Sequence, residues 1–201
     1  MCNDFGNRVP YSAYVEEFSH LRLPLVAPAA GATPNLEPRD EIWPTDTAPL
    51  IRPAAGGVAL VQARWGLAPG RPKGRAVINM RAEGRSFARG RCLVPASHYF
   101  EFSGTKSPKT RWRFTRAGEA WFCFAALLGR GEADAEAFTL LTVDAGPDTR
   151  PYHDREPVIL DRADWAGWLD GSRAAETVLR PARAGTLLVA ESPRARDDSL
   201  V

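Results

Sequence analysis

Periodic and alternating apolar positions divide the chain into two helices and a series of short strands between them. The segment YSAYVEEFSHLRL, which follows Pro10, predicts an amphipathic helix that packs on the core. Its apolar face carries four side chains at helical spacing: Tyr14, Val15, Phe18 and Leu21. Near the other end, DRADWAGWLDG predicts a second helix, capped by Asp161, that buries three apolar side chains: Trp165, Trp168 and Leu169.

Short apolar runs separated by glycine and proline fill the middle of the chain. They read APLIRP, GVALVQARWGL, AVINM, RCLVPASHYFEF, TRWRFTR, AWFCFAALLG, AFTLLTV and PVIL. Runs of this length and spacing predict antiparallel strands, and with the two helices they indicate an α+β fold built on a curved antiparallel sheet. Residues 24–42 and the segment DAGPDTRPYHDREP are expected to be loops, and residues 191–201 a frayed tail.

The composition is that of an ordinary globular protein. The chain has 201 residues, of which 44% are hydrophobic and 25% charged, so we expect one domain over residues 1–201. With no apolar run of roughly 18 residues and no basic-then-apolar leader, we expect a cytoplasmic protein that spans no membrane. Three scattered cysteines predict neither a disulfide framework nor a zinc site, and we expect a monomer without metal or cofactor.

The formal charge of +2 is distributed unevenly. Residues 64–116 contain thirteen Lys and Arg but two Asp and Glu, a net charge of +11, which leaves −9 for the rest of the chain. A basic segment of this kind is typical either of a nucleic-acid surface or of a solvated, Arg-rich face.

Cys2 is the first candidate for chemistry. If Met1 is removed, the chain begins with an α-amine and a thiol on adjacent carbons. An α-amine has an ordinary pKa of about 7.7–8.0, so part of it is an unprotonated nucleophile near neutral pH. An aldehyde can form an imine with this amine, and the thiol can then close a thiazolidine ring. The alternative is an incidental cysteine at a disordered terminus.

Two strand-like segments carry further polar candidates. In AVINMRAEGR, Asn79 and Arg81 present an amide and a guanidinium suited to orienting a sugar or phosphate. In RCLVPASHYFEF, Glu101 lies between Phe100 and Phe102, so burial would raise its pKa and suit it to general acid or base catalysis. The alternative is an outward-facing glutamate paired with an arginine.

The remaining candidates are a loop histidine and a tryptophan in the basic segment. His153 precedes a strand, where it could carry protons, and Arg155 beside it could bind phosphate. Trp65 follows Arg64 and could stack on a nucleobase if it is exposed. The alternatives are a surface histidine and a core tryptophan.

Taken in order, these segments resemble the SRAP family, the SOS response-associated peptidases that act as sensors of abasic sites in single-stranded DNA. The family's motifs appear here as MCNDF, WPTDTAP, RWGLAP, NMRAE, RCLVPASHYFEF and HDREPVIL, in the family's order over residues 1–160. The resemblance implies a barrel-like sheet and a covalent crosslink in which the Cys2 amine condenses with the aldehyde of an abasic site.

The resemblance also implies roles for the other candidates. Asn79 would hold the N-terminus and the sugar, Glu101 would transfer protons, and His153 would assist imine chemistry and strand cleavage. For the DNA, Arg81 and Arg155 would contact phosphates, Trp65 would be a wedge or stacking residue, and Arg64 beside it would also bind the DNA.

Five positions depart from the family pattern. Asn3 and Asp4 stand where Gly-Arg is usual, so an acid replaces an arginine expected to contact phosphate. The other departures are Met80 for Ala, Phe102 for Trp and Glu156 for Met. Two further functions stay open from the residues: a thiol peptidase that could cleave itself, and a non-catalytic module that binds single-stranded nucleic acid.

Overall fold

The computed structural model describes residues 2–26, 36–71 and 73–193. In these ranges the elements are β1 (Phe5–Asn7), α1 (Tyr11–His20), β2 (Arg39–Ile42), β3 (Thr47–Ala54), β4 (Gly57–Trp65), β5 (Asn79–Arg81), β6 (Arg91–Ala96), β7 (His98–Ser103), β8 (Thr110–Arg116), β9 (Phe122–Arg130), a 3₁₀ turn (Glu132–Asp134), β10 (Glu136–Asp144), β11 (Arg155–Pro157), β12 (Ile159–Leu160), α2 (Arg162–Asp170), α3 (Ala175–Val178) and β13 (Leu187–Glu191).

The strands form two sheets. The smaller has the order β13, β8, β7, β1, β2, and the larger the order β11, β10, β4, β3, β6, β9, β12, with β5 added beside β10. Because β10 also pairs with β9, strands β10, β4, β3, β6 and β9 close into a ring. The predicted α+β fold with a curved, barrel-like and mainly antiparallel sheet is confirmed, although β10 pairs in parallel with β4 and β5.

Strand β9 is apolar over residues 122–128 because both of its faces are buried. Its residues 123, 125 and 127 pack in the core that faces α1 and α2, whereas residues 122, 124 and 126 pack in a second core shared with the smaller sheet. A strand buried on both faces cannot alternate between apolar and polar side chains. The ring therefore lies between two hydrophobic cores, and the second of these cores includes Cys2.

Both predicted helices are present, with changes in detail. Tyr14 and Phe18 of α1 are buried as expected, but Val15 is 42% exposed because it lies at the edge of the apolar face. Helix α2 buries the three predicted apolar side chains. Asp161 occupies the predicted N-cap position of α2, but its carboxylate makes no capping hydrogen bond and instead accepts one from Arg116 at 2.6 Å.

Two predicted loops contain strands. Residues 39–42, at the end of the expected loop 24–42, form β2, because an edge of the smaller sheet is available to pair with them. Residues 155–157 form β11 beside β10. Part of the expected loop, residues 27–35, and most of the expected frayed tail, residues 194–201, lie outside the described residues. Among the residues that are described, no helix is long and apolar enough to cross a membrane.

Strand β1 is inserted between β2 and β7, which places the start of the chain inside the smaller sheet. Gly6 pairs with His98, and the imidazole of His98 occupies the space above Gly6. Arg113 donates to His98 Nδ1 at 3.2 Å, so Nε2 carries the proton and donates to the carbonyl of Asp40 at 3.0 Å. The imidazole of His98 in β7 thus packs on β1 and is hydrogen-bonded to β2.

We predict that Gly6→Ala destabilises the protein by about 1–3 kcal/mol, because overpacking a well-filled site has this cost. A Cβ atom at this position would collide with the His98 ring and lie 2.7 Å from the Asp40 carbonyl oxygen. Urea unfolding measures the effect. Gly70→Ala is the control, since a Cβ there meets no atom within 4 Å of the described protein. Equal stability of the two variants would contradict the prediction.

Candidate active site

Cys2 is held inside the fold just before β1. Its side chain is 0% exposed, and its Sγ donates to the carbonyl oxygen of Asp4 at 3.6 Å. From β5, the Asn79 Nδ2 donates to the Cys2 carbonyl oxygen at 2.7 Å. Cys2 is therefore an ordered residue of the second core, and the alternative of a cysteine at a disordered terminus is wrong.

Glu101 projects from β7 into the same core. Its carboxyl group is 1% exposed, and burial raises its pKa from the ordinary 4.5 to about 7. Burial also raises the pKa of the Cys2 thiol, and the charge of nearby Glu101 raises it further. The acid and the thiol therefore influence each other, and near neutral pH Glu101 can either donate or accept a proton.

His153 lies on the loop between β10 and β11 and is half-buried. Its Nδ1 accepts a hydrogen bond from the backbone N–H of Arg155 at 2.9 Å. Burial lowers the pKa of the imidazole, so the ring is neutral at pH 7 and carries its proton on Nε2. A neutral imidazole with a fixed tautomer can donate a hydrogen bond from Nε2 to a substrate.

The phosphate-binding role predicted for Arg155 does not fit its surroundings. Its guanidinium is buried and binds Glu83 at 2.5 and 2.9 Å, Asp144 at 2.6 Å and the carbonyl of Thr142 at 2.8 Å. A phosphate would have to displace these two carboxylates. These contacts instead hold Arg155 in place. Because the backbone N–H of Arg155 donates to His153 Nδ1, the arginine positions the histidine.

The other two arginines predicted to bind DNA, Arg64 and Arg81, differ in whether a carboxylate pairs with them. Arg64 is partly exposed and forms an ion pair with Glu132 at 3.1 Å. Arg81 is exposed at the end of β5, two residues after Asn79, and no carboxylate among the described residues pairs with it. Of the three arginines proposed to contact DNA, Arg81 is thus the one whose guanidinium is accessible beside the site.

The prediction that Trp65 is exposed for stacking is wrong. Its indole is 0% exposed and packs edge-on against Phe5 at 5.0 Å and parallel to Phe138. Its Nε1 donates to the carbonyl of Ile78 at 2.8 Å, next to Asn79. The physical reason is the parallel pairing of β4 with β10, which carries the end of β4 into the core. Trp65 supports the strand that presents Asn79.

A pair of aromatic side chains that the sequence analysis did not single out borders Glu101. Trp112 of β8 lies directly across from Glu101 of β7, and its ring contacts that of Tyr152 at 4.7 Å between centroids. Tyr152 immediately precedes His153 in the chain. Both aromatic residues are partly exposed. Only the cross-strand register reveals this arrangement, so sequence spacing could not have found it.

The chain was compared with known proteins. It matches the SOS response associated peptidase (SRAP) family over residues 1–192. The chain belongs to this family. A comparison with curated proteins gives no match.

Solved structures share the SRAP chain's fold. A protein of Bordetella bronchiseptica has a TM-score of 0.72 at 24% identity, over 96% of this chain and 100% of its own. A phage-related protein of the same organism has a TM-score of 0.72 at 22% identity, over 95% and 94%. A protein of Bacteroides thetaiotaomicron has a TM-score of 0.64 at 20% identity, over 77% and 78%.

The acid at position 4 of this SRAP chain is a structural residue. Asp4 is completely buried and pairs with Arg111 at 2.7 Å, and Arg111 also binds Glu41 at 2.5 Å. The guanidinium of Arg111 lies over the ring of Phe100, 3.4 Å from its centroid. Asp4 therefore anchors the segment between Cys2 and β1.

A second departure, Glu156, is also buried in this SRAP chain. Its Oε1 accepts a hydrogen bond from the backbone N–H of Ala182 at 2.6 Å, which connects β11 to the segment before β13. In the ranges 2–26, 36–71 and 73–193, no cluster of three His, Cys, Asp or Glu side chains could hold a metal ion.

We predict that Glu101→Gln stabilises the SRAP protein more at pH 8 than at pH 5. A carboxyl group whose pKa rises on folding favours the folded state in its protonated form, so its contribution falls as pH rises from 4.5 to about 7. That interval corresponds to about 3 kcal/mol. Urea unfolding at both pH values measures the difference between variant and wild type. The control is Glu136→Gln, which removes an exposed carboxylate. The same gain at both pH values would contradict the prediction.

Proposed function

We propose that the protein, after removal of Met1, forms a covalent crosslink through Cys2 with abasic sites in single-stranded DNA. The observation that carries this proposal is the Asn79 hydrogen bond to the Cys2 carbonyl, because it orders the residue that supplies both the amine and the thiol. Glu101, whose pKa of about 7 suits proton transfer at neutral pH, supports it. Membership of the SRAP family supports it as well.

The first half of the reaction joins the Cys2 amine to the ring-opened deoxyribose. The amine attacks the aldehyde carbon and forms a carbinolamine, which then loses water and leaves a protonated imine. Protonated Glu101 gives a proton to the departing hydroxyl group. The buried oxygen Oδ1 of Asn79 has no hydrogen-bond partner among the described residues, so it can accept a hydrogen bond from the amine or a sugar hydroxyl.

The second half closes the ring. Glu101, now a carboxylate, accepts the proton of the Cys2 thiol, and the sulfur adds to the imine carbon to form a thiazolidine. The overall change joins one aldehyde to one aminothiol with loss of one water molecule. A nearby base is needed, because burial keeps the thiol protonated at neutral pH.

His153 is assigned to the imine steps. Its Nδ1 accepts a hydrogen bond from the Arg155 backbone N–H, so the proton of the neutral ring is on Nε2. In this role it donates to the oxygen of the opened sugar. In the strand-cleavage activity implied by the SRAP resemblance, it assists proton transfer at the same sugar.

The single-stranded DNA approaches the basic segment. Residues 64–116 carry a net charge of +11, and Arg81 is exposed beside Asn79. Phosphates flanking the lesion would bind there, with Arg64 as a second contact if it leaves Glu132. Arg155 is not part of this surface, because its guanidinium is occupied.

We predict that wild-type protein incubated with single-stranded DNA containing one abasic site gives an adduct that survives denaturation. Its mass equals protein plus DNA minus one water molecule, measured on protein whose intact mass shows removal of Met1. Cys2→Ala abolishes the adduct, since no thiol is present to close the ring. Cys92→Ala is the control because Cys92 is another fully buried cysteine. A stable adduct with Cys2→Ala would refute the mechanism.

We predict that Arg81→Ala weakens binding to single-stranded DNA and lowers the slope of log affinity against log salt by about 0.7, the value of one lost phosphate contact. The melting temperature should not change, because the side chain is exposed. Fluorescence anisotropy over a salt series measures the slope. Arg85→Ala is the control, as an exposed arginine beyond β5. An unchanged slope for Arg81→Ala would exclude this contact.

A thiol peptidase is the second candidate, and the name of the family favours it. Peptidases of that class use a cysteine whose pKa is lowered by a histidine. Here burial and Glu101 raise the pKa of Cys2, which favours crosslinking over peptide hydrolysis. Cleavage of a peptide bond that is lost in Cys2→Ser would establish the peptidase. Salt-sensitive DNA binding without an adduct would indicate a non-catalytic binding module.

A further inference from the structure

Trp112 and Tyr152 form a partly exposed aromatic pair next to the candidate active site. Their ring centroids are 4.7 Å apart, with an angle of 52° between the ring planes. Polar and hydrophobic contacts fix both rings: Trp112 Nε1 donates to Ser103 Oγ at 2.7 Å, and Tyr152 packs edge-on against Phe114 at 5.6 Å. The pair is therefore preorganised, and a ligand that uses it loses little side-chain entropy.

The position of the pair follows from the register of β7 and β8. Residues directly opposite in an antiparallel pair project to the same face of a sheet, so Trp112 lies on the face that carries Glu101. Tyr152 continues into His153. The pair is thus linked to the acid of the proposed reaction by the register of β7 and β8, and to its histidine by the chain itself.

Basic side chains lie to one side of the Trp112–Tyr152 pair and an acidic side chain lies to the other. Lys106 and Lys109 lie in the exposed turn between β7 and β8, and neither has a carboxylate partner among the described residues. The positive charge of Lys109 reaches His153, where it helps to lower the pKa of the imidazole after the larger effect of burial. On the opposite side, Glu191 of β13 lies directly across from Trp112. A polyanionic backbone is attracted on the lysine side and repelled on the glutamate side.

We propose that Trp112 and Tyr152 bind the nucleobase of a nucleotide next to the abasic site by stacking, with its phosphate on the side of Lys109. This inference rests on the proposed function and names how its site recognises the intact neighbour of the lesion. An abasic nucleotide has no base of its own to stack, so the adjacent base is the aromatic group available for recognition. Trp65 cannot serve, since it is fully buried.

The test compares two oligonucleotides that carry tetrahydrofuran, an abasic analogue without an aldehyde, at the centre. In one, the flanking nucleotides have ordinary bases; in the other, they too are tetrahydrofuran. Trp112→Ala is expected to weaken binding to the first strand by about fivefold to 150-fold, the range for one stacked base, and to leave binding to the second unchanged. Trp112→Phe should restore most of the difference.

Two results would overturn the inference: equal weakening on both strands, or none on either. Leu188→Ala is the control, since it removes an exposed apolar side chain from the neighbouring strand β13, and its affinity for both oligonucleotides should equal that of wild type. Melting temperatures show whether each variant is folded. Because the analogue cannot crosslink, the result is separate from that of the proposed function. Wild-type protein that forms adducts while Trp112→Ala keeps its base-dependent affinity would refute the stacking site alone.

Discussion

Strand β1 lies between β2 and β7, and Cys2 and Asp4 before it are as buried as the middle of the sheet. A segment near a chain terminus usually frays, because few contacts offset its conformational entropy. Here a buried ion pair between Asp4 and Arg111, and the His98 ring above Gly6, hold the segment in place. The geometry around Cys2 depends on this insertion, since Asn79 and Glu101 come from strands distant in sequence.

The site contains polar groups that an ordinary core would exclude. Glu101 is buried with a pKa near neutrality, and the Oδ1 atom of Asn79 is buried without a described partner. Such groups cost free energy unless they are paired. The surrounding aromatic core, in which Phe5 packs edge to face with both Trp65 and Phe124, offsets this cost. The stability of that core allows reactive groups to remain poorly solvated, as general acid-base chemistry near neutral pH requires.

The sequence was sufficient for the fold class and the two helices, because both depend on local periodicity. For Glu101 it left two alternatives, a buried acid and an outward-facing glutamate, and the structure decides for burial. The sequence was insufficient for Trp65 and Arg155. Whether an arginine faces solvent depends on carboxylates that approach from other parts of the chain, here Glu83 after β5 and Asp144 of β10. Likewise, the parallel register of β4 with β10 buries Trp65. The aromatic pair of Trp112 and Tyr152 was not predicted for the same reason, since its position depends on the register of β7 with β8.

The parallel pairing of β5 with β10 has a consequence for how the protein is made. Residue 79 pairs with residue 140, and β1 pairs with β7 more than ninety residues after it in the chain. During synthesis the N-terminal residues leave the ribosome long before these strands exist, and contacts between such distant segments form slowly. Cys2 is thus a solvated cysteine in the nascent chain, and the environment that tunes it arises only when most of the polypeptide has been translated.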